Sequence, residues 1–339
     1  MSEPETAMSI QGANVWSGTG MSARTDWIIH FSAEDRAELE AAAEGVRRKS
    51  LALGHATRSD FTLPRLSAIL ADVRDELGSG RGFVMIRGLP SKSYSADELA
   101  TLFWGLGTHL GLGVAQSRAG DRLGHVKDID SRDTRYYTRG GELEFHMDPV
   151  DVVGLMCLQS AKSGGESRIL SSMQVYNTIA RERPDLMKSL HRGFYYSRRT
   201  HDPQAKGRAL YTNERIEVFK SDGTGMQCYY LPASFRKAAE DGAPFSDKDA
   251  AAVEFFVSVC ARPENWLDMQ FQEGDIQFLN NRTILHARTD YEEHDDPAMK
   301  RHLLRLWLMV PQWPKRAMDM RRDQESDLAG GGFSTRAAE

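Results

Sequence analysis

Three short segments hold the residues with the means to do chemistry. Glu144-Phe145-His146-Met147-Asp148 contains an H-x-D pair, and Asn280-Asn281-Arg282-Thr283-Ile284-Leu285-His286 brings a second histidine from far along the chain. Two imidazoles and one carboxylate form a facial ligand set that leaves three positions of an octahedral ion open. Neutral ring nitrogens and a carboxylate suit Fe(II), and also Mn, Co or Zn. On a strand, residues two apart share a face, so His146 and Asp148 are expected to reach one ion while His286 arrives from a distant strand. H-x-D alone is a weak motif; its plain alternative is a surface histidine beside an acidic turn.

The third segment is Arg301-His302-Leu303-Leu304-Arg305. Strand alternation puts Arg301, Leu303 and Arg305 on one face and His302, Leu304, Leu306 and Leu308 on the other. The second face reads as core, so the arginines point together into the opposite space. A guanidinium forks onto a carboxylate through two hydrogen bonds, which Lys cannot copy. The competing reading pairs both arginines with structural acids such as Asp275 or Asp290.

The elements that must position these residues are mixed in the first third and short strands later. Ser32 and Asp35 form a capping signal before a helix from Ala33 to about Lys49, and Ser95 with Glu98 forms another before a helix through Leu106. Leu66, Ile69, Leu70, Val73 and Leu77 recur at helical spacing, ended by Gly78 and Gly80. The run 82–88 reads as a buried strand. Leu143 to Asp148, Val152 to Leu158, Phe194 to Arg198, Ile216 to Phe219, Met226 to Leu231, Gly274 to Leu279, Ile284 to Arg288 and Arg301 to Val310 are strand-like. Tyr176 to Leu190 reads as a helix broken at Pro184, and Ser246 to Ala261 as a capped amphipathic helix. Many short strands separated by turns predict a β-sandwich or jelly roll with helices outside it.

The chain of 339 residues carries a net charge of −5, which gives no case for nucleic acid or an anionic membrane as partner. No apolar run approaches the ~20 residues needed to span a bilayer, and residues 1–24 lack the apolar stretch of a secretory signal. Cys157, Cys228 and Cys260 are odd in number and widely spaced, against a disulfide framework and for a reducing, cytoplasmic setting. The expected layout is a mobile segment over 1–25, one domain over 26–315 with a helical lid insertion at about 173–270, and a polar tail over 316–339. A homo-oligomer is left open.

Taken together, Phe145-His146-Met147-Asp148, Gly164-Gly165-Glu166-Ser167, the run from Gly274 to His286, and Arg301 to Trp307 resemble the taurine dioxygenase and clavaminate synthase-like family of Fe(II)/2-oxoglutarate oxygenases, in the family's order and over roughly residues 80 to 312. The resemblance implies a double-stranded β-helix, a jelly roll, with His146, Asp148 and His286 as iron ligands. It implies that Arg301 and Ser167 hold the far carboxylate of 2-oxoglutarate, where Thr is commoner than Ser, and that Arg305 meets a substrate carboxylate or sulfonate. It further implies O2-dependent oxidation of a C–H bond in a small molecule with release of succinate and CO2. Asp148 stands where related halogenases have a small residue, which favours hydroxylation. Two rivals are a non-catalytic jelly-roll binding protein that keeps a metal and a zinc hydrolase using the same ligands; neither has use for a dicarboxylate anchor. Asn280 and Asn281 are expected to be structural. His109, His125, Tyr136, Tyr137, Tyr195 and Tyr196 are expected to be packing or surface residues, and Arg198, Arg199, His201, Lys206 and Arg208 a solvated loop.

Overall fold

The computed structural model describes residues 9–116, 120–127, 141–198, 210–221, 223 and 225–314. Its framework is two β-sheets with helices around them. The larger sheet runs in the order Ile28–His30, Phe83–Arg87, Ile276–Asn280, Val152–Gln159, His302–Met309 and Leu112–Gly113, with Leu123–Lys127 also paired to His302–Met309. Ile28–His30 and Phe83–Arg87 pair in parallel; the other pairings in this sheet are antiparallel. The smaller sheet is antiparallel, in the order Trp266–Met269, Ser167–Ser171, Ile284–Arg288, Leu143–His146.

Alternation along each strand decides which layer a side chain enters. Leu304, Leu306 and Leu308 leave the larger sheet on one face and pack with the helices Ala33–Arg48, Leu66–Gly78 and Ala96–Leu110. On the other face Phe83, Met85, Leu279 and Leu303 meet Ile169, Leu267, Met269 and Ile284 of the smaller sheet, so the two sheets face each other. The outer face of the smaller sheet is covered by the helices Ser172–Glu182, Pro184–Arg192, Pro232–Glu240 and Asp247–Cys260 through Leu170, Leu285, Tyr176, Ile179 and Phe256. The capping boxes expected at Ser32, Ser95 and Ser246 are all present. Pro184 opens a new helix because proline is tolerated in the first turn, where its missing N–H costs nothing.

Two expectations need correction. Residues within the supposedly mobile N-terminal segment are anchored: Ile10 N–H donates to Asn177 Oδ1 at 2.8 Å, and the buried Trp16 donates Nε1 to Arg81 O at 2.9 Å. The tryptophan has an apolar body and one donor, and Phe83 with the bend at Arg81 satisfies both. The strand-like pieces near 194–198 and 216–219 are reduced to the isolated bridges Phe194–Ile216 and Ser197–Tyr211 and the short strand Phe219–Ser221. The tail 316–339 lies outside the described residues.

One buried ion pair ties the framework around the site. Arg282 Nη2 lies 2.8 Å from Asp151 Oδ1 with both side chains almost fully covered. Asp151 Oδ2 also accepts the Val310 amide at 2.9 Å, and Arg282 Nη2 donates to Pro314 O at 2.7 Å. Removing one partner of such a pair strands the other charge in low dielectric. Asp151→Ala is therefore expected to lower unfolding stability by about 3–5 kcal/mol, measured by urea denaturation; a midpoint equal to that of the parent would show that the pair contributes nothing.

Candidate active site

His146 ends the Leu143–His146 strand, and His286 stands opposite it in register on the neighbouring strand. The two rings lie 4.3 Å apart between centroids. His146 Nδ1 is 2.8 Å from Glu144 O, a contact that only a protonated Nδ1 makes favourable and that leaves the Nε2 lone pair for a metal. That Nε2 is 4.0 Å from Asp148 Oδ1. His286 Nε2 is 3.8 Å from Asp148 Oδ2, and His286 Nδ1 is buried without a hydrogen-bond partner among the described residues. One ligand atom from each of the three residues lies within 4.8 Å of the others.

The electrostatics suit a cation. Burial pushes the His286 pKa down to about 3, helped by the neighbouring His146, so the ring is neutral and its lone pair free at ordinary pH. Burial by itself would raise the Asp148 pKa, but the Arg305 guanidinium and a hydrogen bond from Trp307 oppose it, and the carboxyl is held below its usual range. Two imidazoles and an ionised carboxylate converging in a buried space fit a divalent first-row metal.

Asp148 does not reach the site by strand parity. The strand stops at His146; Met147 turns into the helical core and donates its N–H to Tyr230 O at 2.8 Å. Asp148 then lies in a loop whose carbonyl accepts from Asn281 Nδ2 at 2.7 Å. Asn280 Nδ2 donates to Leu77 O and its Oδ1 accepts the Arg282 amide. Both asparagines are structural, and Asn281 holds the loop that carries the carboxylate.

Arg301 precedes the His302–Met309 strand and is 5% exposed. Its side chain donates one hydrogen bond, Nη2 to Gly165 O at 3.3 Å, and forms no ion pair with a carboxylate among the described residues. Burial, then the charge of Arg288, lowers its pKa to about 10. Asp275 pairs with Arg87 at 2.6 Å and Asp290 Oδ1 accepts the Tyr291 amide, while Glu293, whose charge does act on the guanidinium, spends Oε2 on the Arg301 backbone amide at 2.8 Å. Gly164 and Gly165 have φ of 72° and 73°. A Cβ on Gly165 would stand 3.0 Å from Arg301 Nε, so the glycine admits the guanidinium. Ser167, two residues on, is buried and donates Oγ to Gln277 Oε1 at 3.1 Å.

Arg305 enters the metal centre itself. Its Nη1 lies 3.7 Å from Asp148 Oδ2, its guanidinium stacks 4.8 Å from the Trp307 ring, and Nε donates to Gln116 Oε1 at 2.8 Å. Gln116 Nε2 returns a bond to Arg305 O at 2.7 Å. Gln116, Gln277 and Trp307 were not singled out from sequence. Only Trp307 had a signal: it continues the alternation 301, 303, 305 on the inward face. Gln116 and Gln277 are legible only once tertiary contacts exist.

The remaining candidates among the described residues have their contacts elsewhere. His109 Nε2 packs 2.7 Å from Phe61 O. His125 Nδ1 meets His302 Nε2 at 2.9 Å on the alternate strand face. Tyr195 packs on Tyr211, and the buried Tyr196 donates to Tyr229 O. Arg198 donates Nε to Tyr211 O. Tyr136, Tyr137, Arg199, His201, Lys206 and Arg208 lie outside the described residues.

Residues 47–307 match the family model described as taurine catabolism dioxygenase TauD, TfdA family. The chain belongs to this family and is an Fe(II)- and 2-oxoglutarate-dependent dioxygenase. It is 29% identical to FR-33289 synthase of Streptomyces rubellomurinus over 310 residues, covering 89% of this chain and 90% of that protein. It is 28% identical to a taurine hydroxylase-like protein, SAT17, of Stachybotrys chartarum over 337 residues, covering 92% and 84%. Among solved structures, asparagine oxygenase with Fe(II), 2S,3S-3-hydroxyasparagine and succinate superposes with a TM-score of 0.69 at 15% identity, covering 91% of this chain and 98% of that one. The non-heme iron oxygenase OrfP with Fe, succinate and (3S)-hydroxy-L-Arg gives 0.62 at 13%, covering 90% and 98%. At those identities the likeness speaks for the fold. No helix among the described residues is long and apolar enough to cross a membrane.

Proposed function

We propose that this protein hydroxylates an unactivated C–H bond of a small anionic molecule, with His146, Asp148 and His286 holding Fe(II), Arg301 and Ser167 holding 2-oxoglutarate, and Arg305 meeting the substrate's anion. When bound, the iron with 2-oxoglutarate and O2 supplies the oxidising chemistry, with succinate and CO2 as co-products. The two facing sheets are taken as a double-stranded β-helix. Residues 26–315 are taken as one domain, with 173–270 as an insertion that closes over it.

The observation that carries this reading is Arg301. A buried guanidinium that forms no ion pair with a carboxylate among the described residues is costly unless something anionic completes it. A dicarboxylate chelating at the triad with one end offers its other end as that anion. The guanidinium fork fixes the carboxylate's plane as well as its charge. Arg305, 3.7 Å from Asp148 Oδ2, is the second cation in the site, so an anion held there would place the substrate beside the three residues that would hold the iron. Neither a zinc hydrolase nor a metal-keeping binding protein has a role for Arg301.

Anaerobic titration of Fe(II)-loaded protein with 2-oxoglutarate is the test. Bidentate chelation is expected to raise a weak visible charge-transfer band, and O2 with 2-oxoglutarate then to release succinate. With iron shown to be bound, the absence of the band would sink the 2-oxoglutarate assignment and return weight to the rival readings.

A further inference from the structure

We infer that Trp307 is a positioning residue for the metal centre: its indole N–H makes Asp148 a one-oxygen ligand. The inference rests on the metal-ligand reading of Asp148 given above.

Trp307 Nε1 donates to Asp148 Oδ2 at 2.9 Å, and Arg305 Nη1 approaches the same oxygen at 3.7 Å. The two oxygens lie about equally near the imidazoles, Oδ1 4.0 Å from His146 Nε2 and Oδ2 3.8 Å from His286 Nε2, but the indole and guanidinium donors fall on Oδ2, which leaves Oδ1 as the oxygen for an ion. A carboxylate whose one oxygen is occupied by a fixed donor is oriented to present the other. The donor is well fixed. The Trp307 ring is 4% exposed, packs among Val114, Val150, Val153 and Met309, and is stacked by Arg305. Its backbone pairs with Val153, and its carbonyl accepts the Val114 amide at 2.9 Å. The ring therefore cannot follow Asp148 if the carboxylate turns.

Coordination arithmetic gives this contact a purpose. Three single donor atoms leave three positions of an octahedral ion free. 2-Oxoglutarate takes two and O2 needs the third. If Asp148 turned and chelated through both oxygens, the two co-substrates would compete for two positions. The buried loop that carries Asp148 fixes its backbone, through Asn281, but not the rotation of its carboxylate. Trp307 supplies that missing restraint, as outer partners of metal ligands commonly do.

The test uses Co(II) alone, titrated calorimetrically into metal-free full-length protein. Trp307→Phe keeps an aromatic ring and removes the N–H. Trp307→His places a ring nitrogen at the position of the indole nitrogen and keeps a donor. Co(II) affinity is expected to fall about 10–100-fold in Trp307→Phe, with a changed visible Co(II) absorption spectrum, and to fall less in Trp307→His. In an Asp148→Ala background Trp307→Phe is expected to have no further effect, because the residue through which it acts is gone. Wild-type affinity and spectrum in Trp307→Phe would overturn the inference. So would equal losses in the Phe and His variants, or equal losses with and without Asp148. Wild-type Co(II) affinity in Asp148→Ala itself would instead remove the metal-ligand reading on which the inference stands.

Discussion

Replacing His286 by alanine is expected to strip the protein of stoichiometric Fe(II) and to drop 2-oxoglutarate-dependent succinate release far more than the roughly 10–100-fold that loss of an outer partner costs. His286 lies in the middle of the Ile284–Arg288 strand, hydrogen-bonded on both sides, to Ser167–Ser171 and to Leu143–His146. Ile284 and Leu285 anchor that strand in two separate cores. The backbone at 286 therefore keeps its place without the imidazole, and the loss is a loss of the ligand. The low pKa of His286 means that the buried ring enters the fold already neutral, so its removal takes away a lone pair and leaves the local charge unchanged. Iron content after equilibrium dialysis, with circular dichroism as the check on folding, decides the matter. Near-stoichiometric iron in a folded His286→Ala protein would show that the three residues are not the metal site.

Much of this site was legible before any fold was known, and the reasons are local. His146, Asp148 and His286 offered a ligand set by residue type, weak as H-x-D alone and strengthened by the flanking segments that resemble the family. The inward set Arg301, Leu303, Arg305 followed from strand alternation, which holds along His302–Met309 because Leu304, Leu306 and Leu308 must all reach the helical core. The capped helices were legible because a Ser with an acid three residues on satisfies two orphan N–H groups by itself. Other features depend on distant contacts. Asp148 reaches the site through a loop pinned by Asn281, a partner 133 residues away. Gln116 meets Arg305 across 189 residues. The N-terminal segment has a polar composition that reads as mobile, yet Trp16 packs its ring against Phe83 at 5.2 Å. One aromatic anchor outweighs the composition around it.

Replacing Arg301 gives the second large effect, and it separates an anchor for a ligand from a structural arginine. Arg301→Ala is expected to raise the KM for 2-oxoglutarate about 30-fold or more, because truncating one partner of a buried charge pair costs about 2–5 kcal/mol and each ~1.4 kcal/mol is tenfold. Substrate turnover at saturating 2-oxoglutarate should change much less, since the role proposed for Arg301 is to hold the co-substrate's far end, away from the oxidised carbon. Arg301→Lys should recover only part of the affinity, because the charge returns without the fork. Stability moves in the opposite sense from a structural role. The folded protein lowers the Arg301 pKa from its ordinary 12.5 to about 10, so the fold disfavours the charged form. A base with a depressed folded pKa subtracts from stability at every pH below about 10, and that penalty fades only as pH rises toward the unfolded value. At pH 7 the unliganded Arg301→Met protein, which keeps an unbranched apolar stem in place, should therefore melt no lower than the parent. 2-Oxoglutarate with a divalent metal should raise the melting temperature of the parent but not of the variant, since only a ligand bound by the folded state stabilises it. A variant that melts well below the parent yet keeps the 2-oxoglutarate-dependent increase would make Arg301 a structural residue and leave the far carboxylate to be held elsewhere.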